Sequence, residues 1–128
     1  MARMKPARIA MVVLLAGCAS TPSPHTDGIA RARFGETAYV DGPRVTPLAI
    51  VEDSRCPHGV RCVWAGRLRI TARIDLGSGS QTRELTLHKP EAVADGTLEL
   101  VEATPYPTRD RVIEGTDYRF GFRFMGGL

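Results

Sequence analysis

The segment that decides the fold class is residues 67–76, Arg-Leu-Arg-Ile-Thr-Ala-Arg-Ile-Asp-Leu. Every even-numbered position of this segment is apolar and every odd-numbered position is polar or charged. Successive side chains of a β-strand point to opposite faces, so the alternation predicts a strand with one buried face. A flexible turn, residues 77–80, follows, and residues 81–89 resume the alternation with Leu85 and Leu87 on one face. The two segments together predict a β-hairpin.

The turn also predicts the register of this hairpin. A four-residue loop over Gly77 to Ser80 places Leu76 opposite Gln81. The apolar residues of both strands then share the core face, and the charged residues share the outer face. The expected cross-strand pairs are Ala72 with Leu85, Ile70 with Leu87, Arg73 with Glu84, Thr71 with Thr86, Arg69 with His88, and Ile74 with Arg83.

Further strands follow from shorter patterns along the chain. Near the C-terminus Tyr118, Phe120, Phe122 and Phe124 alternate with other residues, which predicts one strand that supplies a large block of core. Shorter strands are expected at residues 37–40, 45–52 and 97–103, with Pro47 marking an edge strand or a bulge. Residues 92–96 read as a turn and 105–110 as a surface loop. About six or seven antiparallel strands predict an all-β domain, a small sandwich or barrel, over residues 29–128.

The N-terminal segment has the pattern of a secretory leader. Arg3, Lys5 and Arg8 precede an apolar run over residues 9–16, and small residues lead into Cys18. The run is about half the length that a transmembrane helix needs, which is about 20 residues. The stretch Leu-Ala-Gly-Cys at 15–18 resembles a bacterial lipobox. The resemblance implies a signal peptide over residues 1–17 and a mature chain that begins at Cys18.

In lipobox proteins the first Cys of the mature chain carries the lipid, so Cys18 is the expected lipidation site. A diacylated and N-acylated cysteine, with chains of the palmitate type, anchors a protein to a membrane very stably. Residues 18–28 are polar and proline-containing, and they read as a solvated tether. Ala19 stands where an Asp would resemble an inner-membrane retention signal, which favours the outer membrane, on its periplasmic side, as the location.

The charge of the chain gives no indication of nucleic-acid binding. Three of the 17 basic residues lie in the leader, which leaves 14 basic against 14 acidic residues in the mature chain. A neutral domain has no electrostatic footprint for a phosphate backbone or for anionic lipid. If Cys18 carries lipid, Cys56 and Cys62 remain as an even pair in an oxidising compartment, where a disulfide is expected.

The most specific motif of the chain is residues 53–66, Asp-Ser-Arg-Cys-Pro-His-Gly-Val-Arg-Cys-Val-Trp-Ala-Gly. They resemble the Asp-Ser-Arg-Cys-Pro…Cys-x-Trp-x-Gly signature of an uncharacterised family of small exported bacterial proteins, many of them lipoproteins. The resemblance implies an exported location and a matching set of strands, and it implies no activity. Its motif positions here are Asp53, Arg55, Pro57, Trp64 and Gly66, together with the two cysteines.

The residues of this motif predict a structural role. Pro57 and Gly59 suit the chain reversal that a Cys56–Cys62 bond requires, and closing so small a ring stabilises a domain by roughly 2 to 2.5 kcal/mol. Asp53 and Ser54 are expected to satisfy nearby backbone donors. Trp64 is expected to lie between the disulfide ring and the core.

Two other interpretations remain open at this point. Cys56, His58 and Cys62, with His25 or His88, are soft and borderline ligands that suit zinc or copper, although their spacing is unlike that of a structural zinc site. Catalysis has less support, because none of the three histidines has a recognisable partner and no nucleophile, metalloprotease or phosphate-loop motif occurs.

The sequence therefore predicts a membrane-anchored periplasmic lipoprotein that is not an enzyme and needs no cofactor. It would act as a binding or envelope-structural module, and its partner, an envelope protein or a ligand, is not identified by any motif. The alternative is a metal-binding periplasmic protein that uses Cys56, His58 and Cys62.

Overall fold

The chain folds as two four-stranded antiparallel sheets in a computed structural model that describes residue 17 and residues 26–126. One sheet has the order β1-β8-β7-β6 and the other the order β2-β3-β4-β5. The two sheets pack face to face as a β-sandwich. The strands are β1 (Ala30–Ala32), β2 (Ala38–Tyr39), β3 (Arg44–Asp53), β4 (Leu68–Leu76), β5 (Gly79–Thr86), β6 (Glu91–Val93), β7 (Gly96–Thr104) and β8 (Arg119–Gly126).

The core lies between the sheets and follows the predicted alternation. On β4 the even-numbered side chains from 68 to 74 are fully buried, as are Phe120 and Phe122 on β8. Tyr118 is buried just before β8, and Phe124 packs partly buried against the same cluster. The periodic segments therefore confirm the predicted all-β class and the aromatic row. Nowhere in residue 17 or residues 26–126 does a helix have the length and apolarity needed to cross a membrane.

The register of the central hairpin differs from the prediction. Leu76 pairs with Gly79, so the loop contains only residues 77 and 78. Ile70 then lies opposite Leu85, and Thr71 lies opposite Glu84. The predicted pairing is wrong by two residues, whereas the faces are as predicted, because a shift of two residues leaves every side chain on its own face.

Pro47 lies in an interior strand, since β3 runs between β2 and β4. The pairing of β3 with β4 shifts between Pro47 and Ala49, and a β-bulge of this kind accommodates a residue that cannot donate to the ladder. The bulge is one of the two predicted possibilities; β3 is not an edge strand of the sheet, but β2 pairs only with Arg44 and Val45, so Pro47 lies beyond the end of β2. The sequence patterns did not predict the short strands β1 and β6. Ala92, predicted in a turn, lies in β6, and the turn itself is at Ala94 and Asp95.

The two ends of the sandwich differ. At one end the connections are tight turns at residues 40–43, 77–78 and 94–95. At the other end two long loops emerge, one from each sheet: residues 54–67 join β3 to β4, and residues 105–118 join β7 to β8 through a short 3-10 helix at Gly115–Asp117. We call this the loop end. The motif of residues 53–66 lies there, at the place where long loops on a rigid scaffold commonly carry function.

Candidate functional site

The loop of residues 54–67, which we call the Cys loop, leaves the sheet at a closed base. The backbone amide of Ser54 donates to the carbonyl of Arg67 over 2.8 Å, and the amide of Arg67 donates to the Ser54 hydroxyl over 3.0 Å. Ser54 thus satisfies a backbone donor, as predicted. Gly66 has a φ of +69°, and a Cβ there would lie 1.7 Å from the Ser54 carbonyl oxygen. Only glycine fits this close approach, so the base of the loop explains why the motif ends in glycine.

A buried arginine holds the Cys loop to the other sheet. The Arg55 side chain is only 6% exposed, and it donates two hydrogen bonds to Asp53, from Nε to Oδ1 at 2.8 Å and from Nη2 to Oδ2 at 3.0 Å. The same guanidinium donates to the carbonyl oxygens of Ala103 at 3.0 Å and Pro105 at 3.1 Å. These carbonyls belong to the end of β7 and the start of the second loop. Arg55 therefore connects the two sheets at the loop end.

Tyr118 completes this polar cluster. Its hydroxyl donates to Asp53 Oδ2 at 2.7 Å. Burial, and then the hydrogen bond to the Asp53 carboxylate, raises the pKa of Tyr118 to about 12. Burial alone would raise the pKa of Asp53, but the hydrogen bonds from Arg55 and Tyr118 outweigh burial and lower it below its ordinary value. The cluster therefore holds Asp53 as an anion and Tyr118 as a neutral donor.

The cluster is satisfied internally. Across residue 17 and residues 26–126, every buried side-chain nitrogen or oxygen has a hydrogen-bond partner. A charged pair inside a protein is stable only when its remaining donors and acceptors are also paired. The arrangement of Asp53, Arg55 and Tyr118 is what a structural fastening requires.

The second loop packs against the Cys loop through aromatic contacts. The Arg55 guanidinium carbon lies 5.4 Å from the centre of the Tyr106 ring, within cation–π range. The ring of His58 packs on Tyr106 with centroids 4.2 Å apart, and the His58 amide donates to the Pro107 carbonyl over 3.0 Å. The two loops therefore form one continuous surface. Tyr106 and the hydroxyl of Tyr118 had no signal in the sequence that linked them to this motif.

The cysteines of the loop form the predicted disulfide. Cys56 and Cys62 are bonded, with their Cα atoms 5.9 Å apart. Pro57 and Gly59 lie between them, and Gly59 has a φ of +78°. Sulfur atoms in a disulfide are not thiolate ligands.

The predicted metal ligands are not brought together. His58 packs on Tyr106, whereas His88 lies beyond β5 and its amide donates to Leu100. His25 lies outside the described residues. Within residue 17 and residues 26–126, no three His, Cys, Asp or Glu residues are placed to hold a metal ion.

Trp64 contradicts the prediction that it fills the space between the disulfide ring and the core. Its side chain is 82% exposed, and Val63 beside it is 89% exposed. The base formed by Ser54 and Arg67 is the last pair that extends the sheet, and residues 58–66 of the loop are exposed beyond it. The space beneath the loop is occupied by Arg55 and Tyr118 instead.

The exposure of these residues is the most unusual feature of the loop end. Val60 is also exposed, and Val112 on the second loop is 81% exposed. Large apolar side chains in contact with water are common as single residues, but neighbouring ones on rigid loops are typical of an interaction surface. We call Val60, Val63 and Trp64, which lie close together in the Cys loop, the apolar tip.

Comparisons with known proteins give no further assignment. No family model, curated protein or solved structure matches this chain. The family resemblance of residues 53–66 stays a prediction from those residues. The lipid acceptor Cys18 lies outside the described residues, and its role is likewise a prediction.

Proposed function

We propose that this chain is a lipid-anchored periplasmic protein whose β-sandwich is a binding module, with the apolar tip of the loop end as its binding surface. The observation that carries the proposal is the exposure of Trp64 between the Cys56–Cys62 disulfide and the base of the loop, where Arg67 bonds to Ser54. Restricting the backbone that carries an exposed apolar side chain lowers the entropy cost of association. A loop with only a structural role would gain nothing from an exposed Trp.

The anchoring part of the proposal rests on the lipobox-like sequence before Cys18, and it fits an outer-membrane location. The test compares the wild-type chain with Cys18→Ser, using labelling by radioactive palmitate and fractionation of the envelope. Label and outer-membrane location should both be lost in Cys18→Ser, and the precursor should stay uncleaved. Cys56→Ser is the matched control and should keep its label. Normal cleavage and secretion of Cys18→Ser would contradict the anchor.

The binding surface is tested separately by site-specific photocrosslinking in cells. A photoreactive residue at Val63 is compared with one at Met125, which is also exposed but lies at the opposite end of the sandwich. Adducts should form from position 63 and not from position 125. Equal adducts from both positions, or none from position 63, would contradict the proposed surface.

The metal-binding alternative has no comparable support, since the two sulfur atoms it needs are bonded to each other. Zinc or copper that stays bound in stoichiometric amount after purification from the periplasm would reverse this preference.

A further inference from the structure

We infer that β5 pairs edge to edge with β5 of a second copy of this chain, so that two four-stranded sheets join into one continuous sheet. This contact lies along the side of the sandwich and does not include the apolar tip. It therefore goes beyond the proposed binding role of the loop end and does not depend on it.

The open edge of β5 is long and regular. β5 has eight residues, whereas the other edge strands within residues 26–126, β1, β2 and β6, have two or three. Its pairing with β4 runs from Gly79 to Thr86 without a shift in register. Proteins commonly protect an edge from other chains with a short strand, a bulge, Pro or Lys, and residues 79–86 have none of these. The edge of β5 is therefore suited to a further strand.

The backbone groups of alternate β5 residues point away from β4. Just after the strand, the Leu87 amide donates to the Leu68 carbonyl over 2.9 Å, so the odd-numbered residues are the ones that bond to β4. The even-numbered residues direct their amides and carbonyls to the open side: Ser80, Thr82 and Glu84. In the described part of the chain, no backbone group pairs with these three residues on that side.

The edge is complementary to itself. A two-fold axis makes identical edges meet antiparallel. With the axis at Thr82, this residue lies opposite its own copy and Ser80 lies opposite Glu84, so each outward amide and carbonyl has a partner. On the core side Gln81 lies opposite Arg83, and no like charges are directly paired. Moving the axis to residue 83 or 84 would set Arg83 or Glu84 opposite itself.

The charged side chains of β5 are already engaged within one copy. Arg83 donates to the Ala92 carbonyl and to Glu91, which turns it toward β6. Glu84 is paired with Arg69 on β4. Neither charge is therefore left free to repel its symmetry-related copy across the joined edges.

The symmetry of this dimer is compatible with the proposed lipid anchor. The two-fold axis is perpendicular to the joined sheet, so the second sheets of both copies lie on the same side of it. β1, which follows the tether, belongs to that second sheet. An edge contact is small, and anchoring in one membrane raises the effective concentration of the copies, so the dimer should be weaker in solution.

Disulfide crosslinking in isolated cell envelopes tests the pairing in the full chain. Thr82→Cys sets two cysteines opposite each other, and the Cα atoms of a hydrogen-bonded antiparallel pair lie about 5.5 Å apart, within the range of a disulfide. Mild oxidation should give a reductant-sensitive dimer. Arg123→Cys, at an exposed position of the interior strand β8, is the matched control and should stay monomeric.

The register is tested by two cysteine variants produced in one cell. Ser80→Cys and Glu84→Cys should bond to each other, whereas either variant alone should not, since its two cysteines would lie about 13 Å apart. Adding Thr82→Pro to both chains should abolish the bond, because Pro lacks the outward N–H, while the ladder to β4 does not use that group. Thr82→Ala keeps the N–H and should keep the bond.

A charge change beside the axis tests the same pairing without a backbone change. Gln81 faces Arg83 twice in the symmetric dimer, so Gln81→Glu should favour crosslinking of Thr82→Cys and Gln81→Lys should weaken it. The two crosslinking equilibria should differ by roughly two- to thirtyfold.

Each contrary result would overturn the dimer. These results are a Thr82→Cys chain that stays monomeric, an equal dimer from Arg123→Cys, a bond that survives Thr82→Pro, or equal yields from the two Gln81 variants. A crosslink from position 82 to a different protein would show that another chain occupies the edge instead. None of these outcomes bears on the apolar tip, which photocrosslinking from position 63 tests separately.

Discussion

Replacing Arg55 by Met should destabilise the domain more than any exposed arginine substitution. The variant keeps the apolar stem of the side chain but loses both bonds to Asp53 and both bonds to the carbonyls of Ala103 and Pro105. Asp53, whose side chain is only 11% exposed, is left with Tyr118 as its remaining side-chain partner. Breaking a buried ion pair by removing one partner costs about 3–5 kcal/mol, because the other charge stays buried. We expect a loss of this size in the free energy of unfolding.

The matched control is Arg67→Met at the base of the same loop. Arg67 also bonds to a carboxylate, Glu52, over 2.9 Å, but its side chain is 60% exposed. Glu52 also keeps its bond to Arg69. An exposed pair contributes about 1 kcal/mol or less, so this variant should lose no more than that.

Urea unfolding of both variants measures the difference. A domain of this size has a net stability of about 5–15 kcal/mol, so Arg55→Met should remain folded without denaturant unless the wild type lies at the low end. Arg55→Lys, which keeps the charge but not the planar fork, gives a milder second variant. Adding Asp53→Asn to Arg55→Met should recover part of the loss, since the unpaired charge is removed. Equal losses in Arg55→Met and Arg67→Met, within about 0.5 kcal/mol, would refute the fastening role of Arg55.

Three further predictions concern the same end of the molecule. The wild-type protein without reductant should show no free thiol from the loop, and Cys56→Ser should cost roughly 2 kcal/mol or more in urea unfolding. Gly66→Ala should lower the free energy of unfolding by well over the roughly 1–2 kcal/mol that a left-handed backbone alone costs, because its Cβ would meet the Ser54 carbonyl. Gly59→Ala, whose Cβ would lie in open space, should lose only about 1–2 kcal/mol. Equal losses in the two variants would contradict the role of the close approach at Gly66. The pKa of Asp53 is lower in the folded state than in the unfolded state. The ionised Asp53 carboxylate therefore stabilises the fold fully above the unfolded pKa of about 3.9, and this stabilisation is lost as the pH falls through the folded pKa. The acid-induced loss of stability should therefore be smaller in Asp53→Asn, and identical pH profiles for the two proteins would contradict this.

The strands were predictable wherever a long alternation was present. Residues 68–76 and 118–124 alternate over several positions, and both segments bury the predicted face. The register of the hairpin was not predictable from the same pattern, because alternation repeats every two residues and a shift of two preserves it. The turn decides the register, and Gly79 proved to be the first residue of β5 and not part of the loop.

The candidate site was predictable in its covalent chemistry but not in its packing. The disulfide followed from cysteine count and spacing. The burial of Arg55 and the exposure of Trp64 are the reverse of what each residue type usually does. The burial of Arg55 depends on Ala103, Pro105 and, through Asp53, Tyr118, which are about fifty or more residues away in sequence. The spacing of Asp53 and Arg55 was the one local hint, since side chains two residues apart in extended chain point to the same side.

The fastening by Arg55 divides the loop end into a part that the fold needs and a part that it does not. Arg55 and Tyr118 close the end of the sandwich, while residues 59–61, between His58 and Cys62, are exposed outside that closure. The ring between the two cysteines is therefore a place where sequence can be exchanged while the sheets stay intact. An engineered recognition segment can be inserted there with Asp53, Arg55, both cysteines and Gly66 left unchanged.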